Sequence, residues 1–175
     1  KTNDAGFGTP PSVRGVLVGT SGWHYGSWRG PFYPEDVRVR HQPRYYASRF
    51  HTTEINNSFY RLPTEKAVAE WRDTVPDGFV FAWKASRYIT HFKRLKDCED
   101  SIKLVFGRMG GLQDRFGPVL FQLPPQFHCD LERLAGFLSA GEVLEAGDKS
   151  VAMRRGQHEA IVIAAAGHCL EGGAR

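Results

Sequence analysis

The fold is decided by one short stretch, Thr52-Thr53-Glu54-Ile55-Asn56, which runs on into Asn57-Ser58-Phe59-Tyr60. Side chains alternate between the two faces of a strand, so Glu54 and Asn56 share one face while Ile55 lies on the other. Burying a carboxylate and a carboxamide on one face of a strand costs free energy unless these groups bind a ligand or pair with other polar groups. The stretch therefore predicts a short strand that ends in a polar site.

Two later segments repeat this arrangement. In Phe79-Val80-Phe81-Ala82-Trp83-Lys84, three aromatic rings share one face, and Lys84 is the last residue on the other face. In Val119-Leu120-Phe121-Gln122, the polar Gln122 is the last residue of the strand. Strand parity predicts that Glu54, Lys84 and Gln122 converge on one side of a sheet, close enough for one ligand to touch them together.

Each predicted strand is followed by a segment with helical features. Pro63 and Thr64 mark the start of one of these helices, with Thr64 as the N-cap. With a first, buried strand over residues 16–20, the chain contains four strands that alternate with four helices, which indicates an α/β architecture with a parallel sheet. The predicted helices cover about residues 41–50, 64–71, 97–112 and 130–139.

Length and composition exclude several classes of protein. At 175 residues the chain can form one domain with a core, but it is too short for a complete barrel of roughly 250 residues. It contains no apolar run of about 18 residues, so no membrane span is predicted. Three widely spaced cysteines support neither a disulfide framework nor a zinc site, which favours a reducing, cytoplasmic location. The net charge of +4 permits contact with phosphate, although the basic residues are scattered.

A loop rich in aromatic residues follows the first strand. Residues 23–34, Trp-His-Tyr-Gly-Ser-Trp-Arg-Gly-Pro-Phe-Tyr-Pro, carry five aromatic rings, more than a solvated loop normally holds. Two interpretations stay open: the rings close one end of a barrel by packing, or Trp23 and Tyr25 form a wall for a flat ligand such as a sugar or a base. Partly exposed rings beside the strand ends would favour the wall, and rings beneath the helices would favour packing.

Glu54 and Lys84 form the main catalytic hypothesis. The carboxylate would act as acid or base while the lysine neutralises an oxyanion or a phosphate, and the structural alternative is an ion pair in the mouth of the barrel. His91, in the loop after the third strand, is the third catalytic candidate because histidine titrates near neutral pH. No HxH or HExxH spacing is present, so neither a metal nor a cofactor is predicted. The residues predicted to bind the ligand are Trp23, Tyr25, Asn56, Tyr60 and Gln122.

Pieces of the chain between about residues 16 and 140 match a family pattern in both order and spacing. They are Gly19-Thr20-Ser21-Gly22-Trp23, Trp28, Gly30, Phe32-Tyr33-Pro34, Tyr46-Ala47, Phe50, Glu54-Ile55-Asn56, Phe59-Tyr60-Arg61-Leu62-Pro63, Trp71, Phe79, Lys84, Ile89-Thr90-His91 and Phe121-Gln122-Leu123-Pro124-Pro125. In these pieces the chain resembles the YecE-like family, domain of unknown function 72, whose members adopt a TIM-barrel-like fold. The resemblance implies a partial (β/α) barrel of about four βα units, and the family has no settled activity to carry over.

The character of the chain changes after about residue 140. All 22 aromatic residues lie before position 141, and the second half of the barrel found in family members has no match in residues 141–175. We predict a flexible lead-in over residues 1–15, the N-terminal half of a TIM-barrel-like domain over 16–140, and a divergent tail over 141–175. A shifted reading frame or a truncated gene would explain the tail, and a genuine alternative ending is the second explanation. The tail is expected to add at most one short helix, around residues 158–166, and to leave the fourth strand as an open edge.

Three functional hypotheses stay open. The first is an enzyme that acts by acid–base chemistry on a small polar or phosphorylated ligand at the carboxyl ends of the strands. The second is a nucleic-acid binding or processing protein, in which the aromatic loop stacks bases while Arg29, Arg61 and Arg87 contact phosphates. The third is an inactive, truncated product.

Overall fold

The computed structural model of the chain describes residues 16–147 and 161–165. The flexible lead-in predicted for residues 1–15 lies outside the described residues, and so does most of the tail predicted for residues 141–175.

Five parallel strands form the sheet, and they are hydrogen-bonded in the order in which they occur in the chain. A sequential order without reversal is the winding of a (β/α) barrel, whereas doubly wound sheets reverse direction at a switch point. The predicted α/β architecture is confirmed, as part of a TIM-like barrel. The strands are β1 Gly19–Ser21, β2 Thr52–Ile55, β3 Val80–Lys84, β4 Phe116–Leu123 and β5 Ile161–Ala165.

Helices connect the successive strands. The predicted cap of the second helix is confirmed, because the Thr64 hydroxyl accepts a hydrogen bond of 3.2 Å from the backbone N–H of Ala67. The third helix carries Glu99 and Asp100 in its first turn, where negative charge stabilises the positive end of the helix dipole. The helices are α1 Gln42–Ala47, α2 Glu65–Thr74, α3 Glu99–Met109 and α4 Leu131–Gly147.

The helices cover one face of the sheet and bury it. Ile55, Trp83 and Phe121 are at most 2% exposed and belong to one apolar cluster with residues of all four helices. The rings of Phe121 and Phe137, for example, lie 5.0 Å apart at 79°, which joins β4 to α4. This face holds the hydrophobic core.

The opposite face of the sheet is more open. Along β2 and β4 every second residue is half-buried, and these positions include Glu54 and Gln122. Lys84 lies on the same face, because Ala82 pairs with Glu54 and Lys84 is two residues further along β3. The fold therefore presents its polar strand residues on the face away from the helices.

The first strand differs from its prediction. The predicted buried strand covers residues 16–20, whereas β1 is Gly19–Ser21, and Val16, Leu17 and Val18 are 59%, 40% and 61% exposed. The prediction of burial was wrong because β1 lies at the end of the strand order and, among the described strands, pairs with β2 alone.

The end of the chain also differs from its prediction. The fourth helix runs on to Gly147 instead of ending near residue 139, and Ile161–Ala165 form a strand where a short helix was expected. This strand pairs with β4 from Val119 to Leu123, so the expectation of an open fourth strand was wrong. The physical reason is composition: the run Ile161-Val162-Ile163 is β-branched, which favours strand over helix.

Candidate functional site

The carboxyl ends of β2 and β3 meet at one edge of the sheet, because parallel strands end on the same side. A short helical turn, Asn57–Phe59, follows β2, and a single π-helical turn, Tyr88–Phe92, follows β3. The second segment was predicted to be a loop, and its backbone is helical instead. These two turns bring the side chains of the site together.

Lys84 and His91 lie against the same aromatic ring. The amine of Lys84 is 4.9 Å from the centre of the Phe59 ring, and the imidazole of His91 is 5.2 Å from it at 86°. A cation over an aromatic face is held by the quadrupole of the ring. Two of the three predicted catalytic residues therefore contact Phe59, which was not among the predicted site residues.

His91 is biased toward its neutral form. Burial lowers its pKa below the ordinary value of 6.5, and the nearby positive charges of Lys84 and Arg87 lower the pKa further. Its Nδ1 atom lies 2.9 Å from the hydroxyl of Thr90, which in turn lies 3.4 Å from the carbonyl oxygen of Ser86. When Thr90 donates its proton to that carbonyl, Nδ1 carries the ring proton and Nε2 is the basic nitrogen.

Glu54 is held from the first strand. Ser21 pairs with Glu54 in the register of β1 and β2, and its hydroxyl donates a hydrogen bond of 2.7 Å to Oε1 of the carboxylate. Within the described part of the chain, no ion pair joins Glu54 to Lys84. The two residues share a face of the sheet, but the structure does not give the ion pair that was the structural alternative for them.

Ser58 fixes the position of the turn after β2. Ser58 is 1% exposed, and its hydroxyl lies 2.6 Å from the carbonyl oxygens of both Ile55 and Lys84. A hydroxyl has one proton, so it donates to these two acceptors in alternation. Because one acceptor is in β2 and the other in β3, Ser58 holds Phe59 next to Lys84.

Three other residues that were predicted to bind the ligand lie at or just after the ends of β2 and β4. Asn56 is half-buried at the start of the turn after β2, with helical backbone angles that end the strand. Gln122 is half-buried on the open face, two residues beyond Leu120, which pairs with Lys84. Tyr60 is 65% exposed, and its ring is 5.1 Å from that of Phe59.

Trp23 lies on the helix side of the sheet. Its ring is 5.5 Å from Trp71 of α2, at 85°, and 6.1 Å from Phe81 of β3. Trp23 is half-buried, as a ligand wall would require, but its ring packs on a residue of α2 and on the buried Phe81, which favours packing. Its ring therefore lies on the opposite face of the sheet from the side chains of Glu54 and Lys84.

The remaining rings of the aromatic loop pack mainly on one another. Tyr33 is fully buried, with Phe32 at 4.7 Å and Tyr45 at 5.7 Å, and burial raises its pKa. Its hydroxyl donates a hydrogen bond to the carbonyl oxygen of Trp23. Tyr25 is the most open ring, at 40% exposure, and its hydroxyl donates to the carbonyl oxygen of Ser21.

Arg87 was predicted to contact phosphate in the nucleic-acid hypothesis, but it was not among the predicted catalytic and ligand-binding residues. Its guanidinium lies 5.5 Å from the centre of the Tyr60 ring and 5.6 Å from that of Phe92. Neither Arg87 nor Lys84 forms an ion pair with any residue that the structure describes. The signal in the sequence was the run Arg87-Tyr88 followed by Phe92, whose side chains a helical turn brings together.

In residues 16–147 and 161–165, no group of three or more His, Cys, Asp or Glu side chains is arranged to hold a metal ion. In the same ranges, no helix has both the length and the apolar character needed to cross a membrane.

Sequence comparison identifies relatives of the chain. The profile of a family described as "Protein of unknown function DUF72" matches residues 17–151. UPF0759 protein YecE of Escherichia coli K12 is 35% identical over 82 residues, which are 47% of this chain and 30% of YecE. UPF0759 protein YunF of Bacillus subtilis 168 is 26% identical over 126 residues, which cover 69% of this chain and 44% of YunF.

Structural comparison agrees with the sequence comparison. A crystal structure of a DUF72 family protein from Enterococcus faecalis V583 matches the fold with a TM-score of 0.50 at 24% identity. The match covers 60% of this chain and 44% of that protein. The chain thus spans less than half the length of these relatives.

Proposed function

The chain belongs to the DUF72 family, proteins of unknown function, and we propose that it binds a small phosphorylated ligand at the carboxyl ends of β2, β3 and β4. The observation that carries this proposal is the pair of cations, Lys84 and Arg87, which face aromatic rings and have no acidic partner among the described residues. Protein cations without a counter-ion near the end of a strand suit an anionic ligand. The edge of a parallel sheet is also where such folds bind ligands.

We propose three chemical roles at this site, which we call the edge site and define as Glu54, Lys84 and His91. Lys84 contacts the anionic group of the ligand, as a point charge with three N–H donors. His91 is neutral at neutral pH and accepts a proton. Glu54, on the same open face, is the second acid–base group. A neutral imidazole carries no charge, so His91 can accept a proton without competing with Lys84 for the anionic group of the ligand.

The acid–base role of Glu54 is separable from its structural role. In a Glu54→Gln variant the side-chain carbonyl still accepts the hydrogen bond from Ser21, while the negative charge and the titratable proton are lost. Because a carboxylate repels a phosphate, we expect this variant to bind a phosphorylated ligand at least as tightly as the native chain does. Any turnover that depends on Glu54 would be lost.

Binding is tested by calorimetric titration of the full chain with ribose 5-phosphate and, separately, with ribose. We expect phosphate-dependent binding that Lys84→Met weakens by about tenfold or more, the typical loss of a charged hydrogen bond. Lys103→Met is the matched control, since Lys103 is exposed on α3 on the other side of the sheet. Equal affinity for ribose and ribose 5-phosphate, or equal losses in the two variants, would contradict the proposal.

Nucleic-acid binding through the aromatic loop is the second candidate. Its rings lie mostly against one another, and Arg29 donates a hydrogen bond of 3.3 Å to the carbonyl oxygen of Glu35. We rank it second because packed rings offer few free faces for bases. Binding that weakens steeply with added salt would favour nucleic acid, and salt-insensitive binding of a small ligand would favour the first proposal.

A further inference from the structure

A second group of side chains continues outward from the edge site. Tyr60 and Phe92 are 65% and 67% exposed, and the guanidinium of Arg87 lies 5.5 and 5.6 Å from the centres of their rings. We call these three residues the stacking patch. Tyr88, at 51% exposure, extends it through a ring contact of 6.5 Å with Phe92.

The exposure of these rings is not explained by packing. Tyr60, Tyr88 and Phe92 are each at least half exposed and lie together. Large apolar side chains that are exposed side by side mark binding surfaces more often than ordinary protein surface. The turn that carries two of these rings, Tyr88–Phe92, also contains buried residues, since Ile89 and Thr90 are at most 1% exposed. The outward rings are therefore held on a backbone that is anchored from within.

The backbone around the stacking patch is unusual. Tyr88–Phe92 form a single π-helical turn, a conformation found often at functional sites. Three non-glycine residues follow in the left-handed region, Arg94, Leu95 and Asp97, with φ of 50°, 66° and 46°. Such residues are strained and persist where the surrounding structure holds them, here through the 4% exposed Leu95.

Arg87 gives the stacking patch a chemical preference. Its guanidinium lies near the centres of both rings, within the range of a cation–π contact, and a planar guanidinium offers several N–H donors to a ligand. No ion pair with a described acidic residue occupies them. A ligand with both a flat ring and hydrogen-bond acceptors satisfies the rings and the guanidinium together.

The stacking patch is continuous with the edge site. Phe59 contacts Lys84 at 4.9 Å on one side and Tyr60 at 5.1 Å on the other. A phosphate at Lys84 and a flat ring at Tyr60 are thus one aromatic residue apart. We infer that the ligand is a nucleoside monophosphate whose phosphate contacts Lys84 and whose base stacks on Tyr60 and Phe92, an inference that rests on the proposed function.

The test compares three probes by calorimetry with the full chain: adenosine 5′-monophosphate, ribose 5-phosphate and adenosine. We expect the nucleotide to bind about tenfold or more tightly than ribose 5-phosphate, the usual gain from stacking one base. Phe92→Leu and Tyr60→Leu should remove most of this difference and should change the affinity for ribose 5-phosphate much less, because Lys84 stays beside Phe59. Both residues are mostly exposed, so these variants are expected to fold.

Arginine variants supply the matched control. Arg87→Met should weaken binding of the nucleotide, whereas Arg49→Met should not, although Arg49 also lies over a tyrosine, 5.3 Å from the ring of Tyr45. Arg49 precedes β2 and is therefore at the opposite edge of the sheet. A loss of equal size in both variants would contradict the inference.

The outcomes separate this inference from the proposed function. Equal, Lys84-dependent binding of the nucleotide and ribose 5-phosphate would overturn the stacking patch and leave the proposed function standing. Binding of neither phosphorylated probe would overturn both. Binding of a single-stranded oligonucleotide without binding of the mononucleotide would also overturn the inference, in favour of a nucleic-acid surface.

Discussion

Two groups of aromatic residues follow the strands of this sheet, and they differ in their surroundings. The aromatic loop after β1 has rings packed against each other and against α2, and Tyr33 is fully buried. The stacking patch after β2 and β3 has rings about two-thirds exposed around an arginine. A high aromatic content in a loop therefore does not distinguish a ligand-binding surface from packed rings. The two groups differ in the exposure of their rings and in the presence of an arginine that forms no ion pair with a described residue.

The largest contrast is expected in stability. Tyr33→Ala removes a fully buried ring, so we expect the free energy of unfolding to fall by about 3–5 kcal/mol. Tyr60→Ala removes an exposed ring and should change it by no more than about 0.5 kcal/mol. Urea unfolding followed by circular dichroism measures both. Similar losses in the two variants would remove the distinction between the packed loop and the exposed patch.

A smaller effect is expected at the residue that connects β2 to β3. Ser58→Ala deletes a buried hydroxyl that serves two carbonyl oxygens, so we expect the chain to lose about 1–2 kcal/mol of stability. The same change should weaken binding of ribose 5-phosphate, because Phe59 is no longer held beside Lys84. Thr74→Ala is the control, since Thr74 donates a comparable but exposed bond of 2.6 Å at the end of α2, before β3 begins and therefore far from the carboxyl ends of the strands. Unchanged binding in Ser58→Ala would show that the turn is held by other contacts.

The smallest effect is expected in the pH dependence of anion binding. The pKa of His91 is lowered, so the ring gains its proton only below its ordinary value of 6.5. An anion binds the protonated form better, and its affinity should therefore rise a few-fold as the pH falls through that lowered pKa. Inorganic sulfate is the probe because its charge stays constant in this range. The rise should disappear in His91→Gln, and its persistence there would assign the titration to another group.

The same lowered pKa has a consequence for stability. Between the lowered pKa and 6.5 the unfolded chain binds more protons at His91 than the folded chain does. The contribution of His91 is therefore fully present above pH 6.5 and is lost as the pH falls toward the lowered pKa. His91→Gln should flatten this part of the curve of stability against pH.

Much of the fold follows from local patterns in the sequence. Alternation along Thr52–Ile55 and Val80–Lys84 identifies both strands and the face that each side chain occupies, because strand parity is a local property. The cap at Thr64 is local in the same way. The exposure of Val16 is not, since it depends on which strands lie beside β1.

The site was predicted less completely than the fold. Glu54 and Lys84 were placed on one face by parity, but their actual partners, Ser21 and Phe59, depend on how separate turns meet in space. Arg87 was predicted only as a phosphate contact of the nucleic-acid hypothesis, because the π-helical turn that brings it near Tyr60 and Phe92 has no clear signature in a short segment. The strand Ile161–Ala165 was misjudged because the alanines in the apolar run of residues 160–166 suit a helix, whereas its β-branched residues and pairing with β4 favour a strand.

The central claim is that the ligand binds at the edge site and not at the aromatic loop. Nuclear magnetic resonance titration with adenosine 5′-monophosphate tests it most directly, with the four tryptophan indole N–H signals as reporters of the packed regions. We predict that the largest shifts occur at Phe59, Lys84, Arg87 and His91, while the indole signals of Trp23 and Trp28 move little. Large shifts at these two indoles with His91 unchanged would contradict the account and place the ligand at the aromatic loop.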